Sequence, residues 1–248
     1  MANWDDRTRQ GFGSVPRAGG DVASRTTFDA GLRKYMLSIY NYMGSAVLLT
    51  GIVALLLAMN GMVNSAVLMI GALGSLGIVF AMSFGAQKFS AGTLQAMFWG
   101  YAVLMGMAIS YIFVVYTGPS IAVAFFATAG AFAGLSLWGY TTKKDISGWG
   151  SFLFMGVIGI ILASLLNMGW AFFTGAPIQG LDFAISILGV LIFAGLTAYD
   201  TQRLKNDYQH LRGTNWERKS IILGALSLYL DFINMFLFLL RLIGATRD

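Results

Sequence analysis

The feature that most constrains this chain is a series of seven long apolar runs separated by short polar joints. A transmembrane helix needs ~20 mostly apolar residues, and only helices and closed barrels satisfy their backbone polar groups within hydrocarbon. The sequence therefore predicts an all-α membrane protein, a seven-helix transmembrane bundle over residues 35–248. The predicted spans are Tyr35–Met59, Val63–Ser83, Leu94–Tyr116, Pro119–Tyr140, Ser151–Phe173, Asp182–Asp200 and Ser220–Leu240.

Composition favours a lipid bilayer as the partner of this chain. Hydrophobic residues make up 57% and charged residues 11%, whereas a soluble domain carries about 25% charged residues. A net charge of +5 is compatible with nucleic acid, but the basic residues stand in short stretches between apolar runs, which is typical of membrane proteins. The chain has no cysteine, and its single histidine, His210, lies in a polar joint. We therefore expect no disulfide, no cofactor and no nucleic-acid partner.

The first 34 residues form a polar segment with charges of both signs, among them Asp5, Asp6, Arg7 and Arg9. A signal peptide has a short basic region, an apolar core and a cleavage site of small residues. This segment lacks that order. We predict a flexible tail over residues 1–34, followed by an uncleaved first span.

The distribution of basic residues predicts the orientation in the membrane. Fourteen of the 16 lysines and arginines lie in the tail or in the joints before the third, fifth and seventh spans. Cytoplasmic loops carry such an excess, so we place the N-terminus in the cytoplasm. Arg241 and Arg247 follow the seventh run. Either that run crosses fully and leaves them outside, or it enters the membrane without crossing.

Glycines recur at spacings that are typical of close helix packing. Small residues let helix backbones approach each other where lipid provides no hydrophobic drive for association. We therefore predict helix contacts at glycines in spans two, four and five, namely Gly71, Gly74, Gly77, Gly130, Gly134, Gly156 and Gly159.

Asp231 is an acid in the middle of the last apolar run, SLYLDFINMFLFLLRL (Ser227–Leu242). An ionised aspartate at the centre of a bilayer costs roughly 2.5–3.5 kcal/mol on insertion scales, so it requires a partner or a watery cavity. Ser227 at i−4 and Asn234 at i+3 share its helix face and complete a polar stripe. Two interpretations stay open: a protonated aspartate that holds helices together by hydrogen bonds, and a site for protons or cations.

Asp200 ends the sixth run, within IFAGLTAYDTQRLK (Ile192–Lys205). Thr197 lies at i−3 on its face, and Arg203 lies at i+3. A carboxylate near a helix C-terminus opposes the helix dipole, so helix stability does not explain its presence. Asp200 either pairs with Arg203 at the membrane edge or, if the helix continues to about Leu211, lies in the helix interior.

Asp200 and Asp231 approach from the same membrane surface, because span six leaves the membrane where span seven enters it. Two carboxylates in a dry site cannot both ionise cheaply, and such a pair titrates as a unit. When they share a proton, they form a closed hydrogen bond. When both are ionised, they repel each other or bind a hard cation such as Ca²⁺, which prefers oxygen ligands. Such a pair would act as a pH-dependent latch on a cation path.

Two segments resemble the signature segments of the Bax inhibitor-1 family, also called the transmembrane Bax inhibitor motif family. They are GLTAYDTQRLK (Gly195–Lys205) and ALSLYLDFINMFLFLLRL (Ala225–Leu242), and each carries its acid in the same apolar and aromatic context. A polar tail followed by YNYMGSAVLLTGIVALL (Tyr40–Leu56) is similar to the bacterial, YccA/YetJ-like branch. The resemblance covers the chain from about residue 35 to its end.

The resemblance implies a last helix that is surrounded by the other six, and a di-aspartyl pH sensor made by Asp200 and Asp231. It implies a pH-sensitive calcium leak channel in the bacterial inner membrane, with calcium as the transported ion. Some family members carry an intramembrane arginine in the second span that pairs with the first of these aspartates. The second span of this chain, Val63–Ser83, has no basic residue, and Lys88 lies just beyond it.

Two functions from different classes stay open at this point. The first is the calcium leak channel, gated by Asp200 and Asp231 with Ser227, Asn234, Thr197 and Arg203 as supporting polar residues. The second, also implied by the resemblance, is a non-conducting regulator that binds a membrane protease such as FtsH through its N-terminal tail. An intramembrane protease is disfavoured, because no glycine-framed second motif accompanies the two acids.

Overall fold

The structure, a computed structural model, describes the backbone of residues 18–247 and the side chains of residues 29–247. Within this range, seven stretches are long and apolar enough to cross a membrane, and one of them, Ala91–Val115, consists of two consecutive helices. The predicted all-α fold with seven membrane-length spans is confirmed. The helices are α1 (Ala18–Met59), α2 (Ser65–Gly85), α3 (Ala91–Ile109), α4 (Ile112–Val115), α5 (Gly118–Thr141), α6 (Trp149–Thr174), α7 (Gln179–Leu211) and α8 (Trp216–Ile243).

Local sequence signals explain where several helices begin. The Asn64 side chain accepts a hydrogen bond from the N–H of Val67 at the start of α2, and the Ser90 side chain accepts one from Thr93 at the start of α3. Such caps satisfy N–H groups that no helical carbonyl reaches. Pro119 stands in the first turn of α5, where its missing N–H removes no helical hydrogen bond.

Helix α1 begins earlier than the predicted first span. It starts at Ala18, and within the residues whose side chains are described its membrane-length stretch is Asp29–Met59. Residues 18–34 are therefore helical where a flexible tail was predicted. Contacts divide the chain into two units at Lys34 and Tyr35. The predictions for residues 1–17, including their contact with a protease, lie outside the described residues.

The two helices that carry the intramembrane acids are both longer than predicted. Helix α7 continues to Leu211, and α8 begins at Trp216. At 1.5 Å per residue, α7 is about 50 Å long, which exceeds the ~30 Å hydrocarbon core. Asp200 is therefore an interior residue of α7. A short turn with Gly213 at a φ of 72° joins α7 to α8, so the two helices pack as antiparallel neighbours.

Helix α8 lies at the centre of the bundle, as the resemblance implied. In its most apolar window 61% of the residues are buried, compared with 17–39% in the other six spans. It packs against α3, α5 and α7. Tyr229 and Met235 are among its fully buried side chains. A polar group on this helix is therefore shielded from lipid by its neighbours.

The predicted glycine contacts are confirmed in part. An added Cβ would meet α3 at Gly71 and Gly74, and would meet α7 at Gly156. The sequence did not predict the contact at Gly139 in α5, where a Cβ would meet the backbone of Ala198 in α7. The predictions are wrong for the remaining glycines, at which an added Cβ meets nothing: Gly77, Gly130, Gly134 and Gly159.

The last residues of the described chain pair with the joint between α4 and α5. Tyr116 and Thr246 form an antiparallel bridge, and the Thr117 N–H donates to the Ala245 carbonyl at 3.0 Å. We call residues 244–247 the C-terminal strap. Helix α8 therefore runs the full length of the bundle. This agrees with the alternative in which the seventh run crosses fully, and not with the one in which it enters without crossing.

The bundle consequently has two distinct ends. We call the end with the α2–α3, α5–α6 and α7–α8 joints the basic end. The strap lies at the other end, where the guanidinium of Arg241 is 3.4 Å from the Asp182 carboxylate. At the basic end, the Lys219 ammonium donates to the carbonyl of Ala86, 3.1 Å away, and the Lys205 ammonium to that of Tyr140, 2.7 Å away. Both lysines interact with carbonyls at or near helix C-termini, where a positive charge is favourable.

Candidate functional site

Asp200 and Ser227 lie at matching depths in neighbouring helices. Asp200 is eleven residues before the end of α7 at Leu211, and Ser227 is eleven residues after the start of α8 at Trp216. Each residue is therefore ~16 Å from the basic end of its helix. The Ser227 hydroxyl donates a hydrogen bond to the Asp200 carboxylate. Because α7 and α8 both extend beyond the predicted spans, the two signature segments lie side by side.

Asp231 lies one turn deeper than Ser227 on the same helix, about 6 Å further along the axis. Ser227, Asp231 and Asn234 all line one cavity, so the predicted polar stripe of α8 is confirmed as a single face. This cavity has a volume of about 1010 Å³. Asp200 lines it too, so the structure brings both acids to the same site.

The cavity, which we call the acid cavity, lies between α2 and α6, with α7 and α8 behind it. Its remaining lining is mostly apolar and includes Leu76 of α2 and Ile160 of α6. Asp200 and Asp231 are each only 4% exposed. Two carboxylates are therefore held away from water among membrane-length helices, an arrangement that requires a counter-charge, a proton or a cation.

Arg203 supplies the counter-charge to Asp200. One guanidinium nitrogen lies 3.2 Å from the Asp200 carboxylate, and the other donates to the Ser227 hydroxyl at 3.2 Å. The guanidinium also lies 5.7 Å from the centre of the Tyr199 ring, within cation–π range. The pairing at i+3 predicted for Asp200 is therefore present. It lies in the interior of α7, because the helix continues past Asp200.

Asp231 has no comparable partner. Its Oδ2 atom is buried and accepts no hydrogen bond from the described residues. The Asn234 amide donates instead to the Leu230 carbonyl, 2.8 Å away, and Ser227 is bonded to Asp200. Asp231 is close enough to Asp200 and Arg203 to interact with them electrostatically. Asp231 therefore forms no hydrogen bond with the described residues that would link two helices.

The expected closed hydrogen bond between the two aspartates is also not formed. Among the described residues, Asp200 bonds to Ser227 and Arg203, and no hydrogen bond joins it to Asp231. The physical reason is the axial offset of one turn, which aligns Asp200 with Ser227 rather than with Asp231. The two acids share a cavity without sharing a hydrogen bond.

Thr197 does not join this site. It is buried, and its hydroxyl donates to the Phe193 carbonyl at 2.8 Å. Thr197 at i−3 and Arg203 at i+3 lie about 60° to opposite sides of Asp200 around the helix, and the side of Arg203 is the one that lines the acid cavity. Thr197 lies instead beside a hydroxyl cluster that sequence reasoning missed, in which Ser136 is 2.6 Å from the Tyr40 hydroxyl and 3.0 Å from that of Thr201. In the sequence, the i, i+4 spacing of Thr197 and Thr201 could have indicated this hydroxyl cluster.

A second polar cavity of about 360 Å³ lies at the basic end, and we call it the entry cavity. Ser83, Asp207 and Trp216 line it, and none of them was predicted to belong to the site. It shares three lining residues with the acid cavity, namely Arg203, Ser227 and Leu230. These three residues therefore form the wall between the two cavities.

The described side chains of the acid cavity offer few oxygen ligands for a cation. Ca²⁺ takes six to eight oxygen ligands in a stable site. Among the side chains that the structure describes, no group of three or more His, Cys, Asp or Glu residues comes together. The acid cavity offers two carboxylates and the neutral oxygens of Ser227 and Asn234.

The fold and the site define a polytopic membrane protein whose central helix carries a buried acid. Residues 32–248 match the family described as Inhibitor of apoptosis-promoting Bax1. The chain belongs to this family. It is 46% identical over 226 residues to the Inner membrane protein YbhL of Escherichia coli K12, which covers 88% of this chain and 94% of that protein. It is 42% identical over 237 residues to the protein RP147 of Rickettsia prowazekii, with 92% and 96% covered.

Proposed function

We propose that this protein is a pH-sensitive calcium leak channel of the bacterial inner membrane, with Asp200 and Asp231 as its gate. The inner-membrane location is supported by the name of the Escherichia coli relative. The observation that carries the proposal is Asp231, a buried carboxylate with an unpartnered oxygen in a large cavity between membrane-length helices. A group of this kind in a membrane is more often functional than structural.

The charge state of Asp231 sets the net charge of the acid cavity. Arg203 neutralises Asp200 through their ion pair, whereas Asp231 has no ion-pair partner among the described residues. When Asp231 is ionised, the cavity carries a net negative charge and attracts Ca²⁺. When Asp231 is protonated, that attraction is lost. The calcium flux should therefore increase as the pH rises through the titration of the pair.

The wall between the two cavities provides the barrier to the passage of Ca²⁺. Ca²⁺ entering from the basic end first meets the entry cavity, then the guanidinium of Arg203 and the side chains of Ser227 and Leu230. The Arg203 side chain is 43% exposed, so it has room to move out of the path. Separation of Ser227 from Asp200 and Arg203 would open this wall and join the two cavities.

Calcium flux into proteoliposomes, measured against pH with a trapped calcium indicator, tests the proposal. The wild-type flux is expected to rise from acidic to mildly alkaline pH. The Asp231→Asn variant is expected to lose this rise, because the neutral amide cannot ionise. An unchanged flux and pH profile in this variant, purified in folded form, would show that Asp231 is not the gate.

Asp145→Asn is a suitable control for this experiment. Asp145 lies exposed in the joint between α5 and α6, and the backbone N–H of Ser147, 2.9 Å from it, holds the pKa of Asp145 below its usual range. It therefore keeps its charge throughout the assay. An asparagine retains the oxygen that accepts this hydrogen bond. The variant should lose one negative charge from the same protein and keep the wild-type pH profile.

A further inference from the structure

A large apolar groove lies on the face of α8 that is opposite to the acid cavity. It has a volume of about 630 Å³ and lies between α1 and α5, with the α3–α4 region and α8 behind it. From α8 it is lined by Phe232, Ile233 and Phe236. These positions point away from Ser227, Asp231 and Asn234 on the helical wheel. Its size falls within the ~300–1,000 Å³ range of small-molecule sites.

Glycines on α1 create much of this space. Gly44 and Gly51 line the groove and are seven residues apart, which places them two turns apart on nearly the same helix face. An added Cβ at either position meets nothing within 4 Å. The backbone of α1 therefore borders the groove directly at these two glycines, which lie about 10 Å apart along the helix.

The described residues of the groove provide no free polar group that could bind water. Among the described residues that line it, Thr50 alone has a nitrogen or oxygen in its side chain. The Thr50 hydroxyl donates to the Ala102 carbonyl at 2.9 Å and lies 2.7 Å from the Tyr229 hydroxyl. Ordered water in a cavity needs two to four polar partners. With Thr50 already bonded to protein groups, the groove favours an apolar occupant.

The groove opens onto the surface that faces hydrocarbon. Leu48 and Phe126 line it and are 65% and 73% exposed. These helices are long and apolar enough to span a membrane, so hydrocarbon chains are the apolar molecules that surround this opening. Gly118 lines the groove near the strap end of the bundle, close to the level at which lipid headgroups begin.

From these observations we infer that the groove binds one acyl chain of a phospholipid from the leaflet at the strap end. The chain would pack against Phe232 and Phe236, and Phe232 directly follows Asp231. An occupied groove therefore supports α8 from behind the acid cavity. This inference does not depend on ion conduction, because it concerns the opposite face of α8.

Photo-crosslinking in lipid vesicles tests the inference. The full chain is reconstituted in phosphatidylglycerol vesicles that contain a trace of the same lipid with a diazirine near the end of one acyl chain. After irradiation, labelled peptides are identified by mass spectrometry. Labelling is expected to concentrate on the groove segments of α1, α5 and α8. Labelling spread evenly over all lipid-facing helices would overturn the inference.

Two variants should fill the groove, namely Gly51→Leu on α1 and Ala122→Leu on α5. Either one should reduce groove labelling several-fold. Gly159→Leu is the matched control, because Gly159 also faces open space but lies on α6, away from the groove. It should leave groove labelling unchanged. If one filling variant fails to fold, the other decides the result. Undiminished labelling in a folded filling variant, or a dimer whose contacts map to the unlabelled groove, would refute lipid binding there.

Discussion

The guanidinium of Arg203 lies 3.2 Å from the carboxylate of Asp200, three residues earlier in the same helix. An ion pair within one helix cannot by itself hold two helices together. At this site the link between α7 and α8 is Ser227, which bonds to both members of the pair. This chain therefore neutralises Asp200 from α7 itself, and an arginine in the second span is not needed for this charge balance.

Replacing Arg203 by glutamine should increase the proposed calcium leak at neutral pH. The change removes a positive charge from the wall between the entry cavity and the acid cavity, and ~1 kcal/mol less charge repulsion raises a rate about fivefold. Flux into proteoliposomes measures the effect. Arg203→Lys keeps the charge and should stay near the wild-type flux. A glutamine variant that leaks no more than wild type would contradict this role.

Replacing Ser227 by alanine should weaken the contact between α7 and α8 at the wall. The variant leaves the buried Asp200 without one of its hydrogen-bond donors, which costs about 1–3 kcal/mol, and it should both lower the melting temperature and raise the leak. Thermal unfolding in detergent and calcium flux report the two effects. Ser164→Ala is the control, because Ser164 lines the same cavity from α6 without contacting Asp200. Equal behaviour of the two alanine variants would rule out a special role for Ser227.

Replacing Gly139 by leucine should strongly destabilise the bundle. A side chain at this position would collide with the backbone of Ala198 in α7, and overpacking of this kind costs about 1–3 kcal/mol or more. Gly134→Leu, on the same helix, faces open space and should be tolerated. The melting temperatures of the two variants in detergent give the comparison. A Gly139 variant as stable as the Gly134 variant would disprove the close approach of α5 and α7.

Ending the chain at Gly244 should lower the melting temperature, because it removes all of the strap except Gly244. The loss includes the hydrogen bond from Thr117 to Ala245 and the bridge between Tyr116 and Thr246, at about 0.5–1.5 kcal/mol for each hydrogen bond. Arg241→Gln is the comparison, since its half-exposed ion pair with Asp182 should contribute less than ~1 kcal/mol. Truncation with no measurable effect would mean that the strap is not stably paired.

Much of the fold was predictable because a bilayer imposes a strong periodicity on sequence. Seven apolar runs predicted seven spans, and the polar stripe of Ser227, Asp231 and Asn234 predicted a single face of α8. The ends of α7 and α8 were harder to predict, since both helices continue past the hydrocarbon into sequence that is polar enough to resemble a joint. The predicted end of α7 fell about three turns early, at Asp200, although the sequence left open a helix that continues to about Leu211, and the structure confirms this second alternative.

Contacts that depend on how helices rotate against each other were not predictable from spacing. Gly71 and Gly130 look alike in sequence, yet Gly71 packs against α3 and Gly130 faces open space. In the same way, Thr197 shares a helix with Asp200 but lies on a different face. Which side of a helix meets its neighbour is decided by the packing of the whole bundle, and a single sequence carries little information about it.

The strap joins the end of α8 to the joint between α4 and α5. The Tyr116–Thr246 bridge would therefore be the fulcrum of any tilt of this helix. Asp231 lies ~18 Å from the end of α8 at Ile243, and Trp216 lies ~40 Å from it. Any tilt about the fulcrum therefore displaces Trp216 roughly twice as far as Asp231. A small displacement of the buried acid would therefore accompany a displacement about twice as large at the basic end of α8.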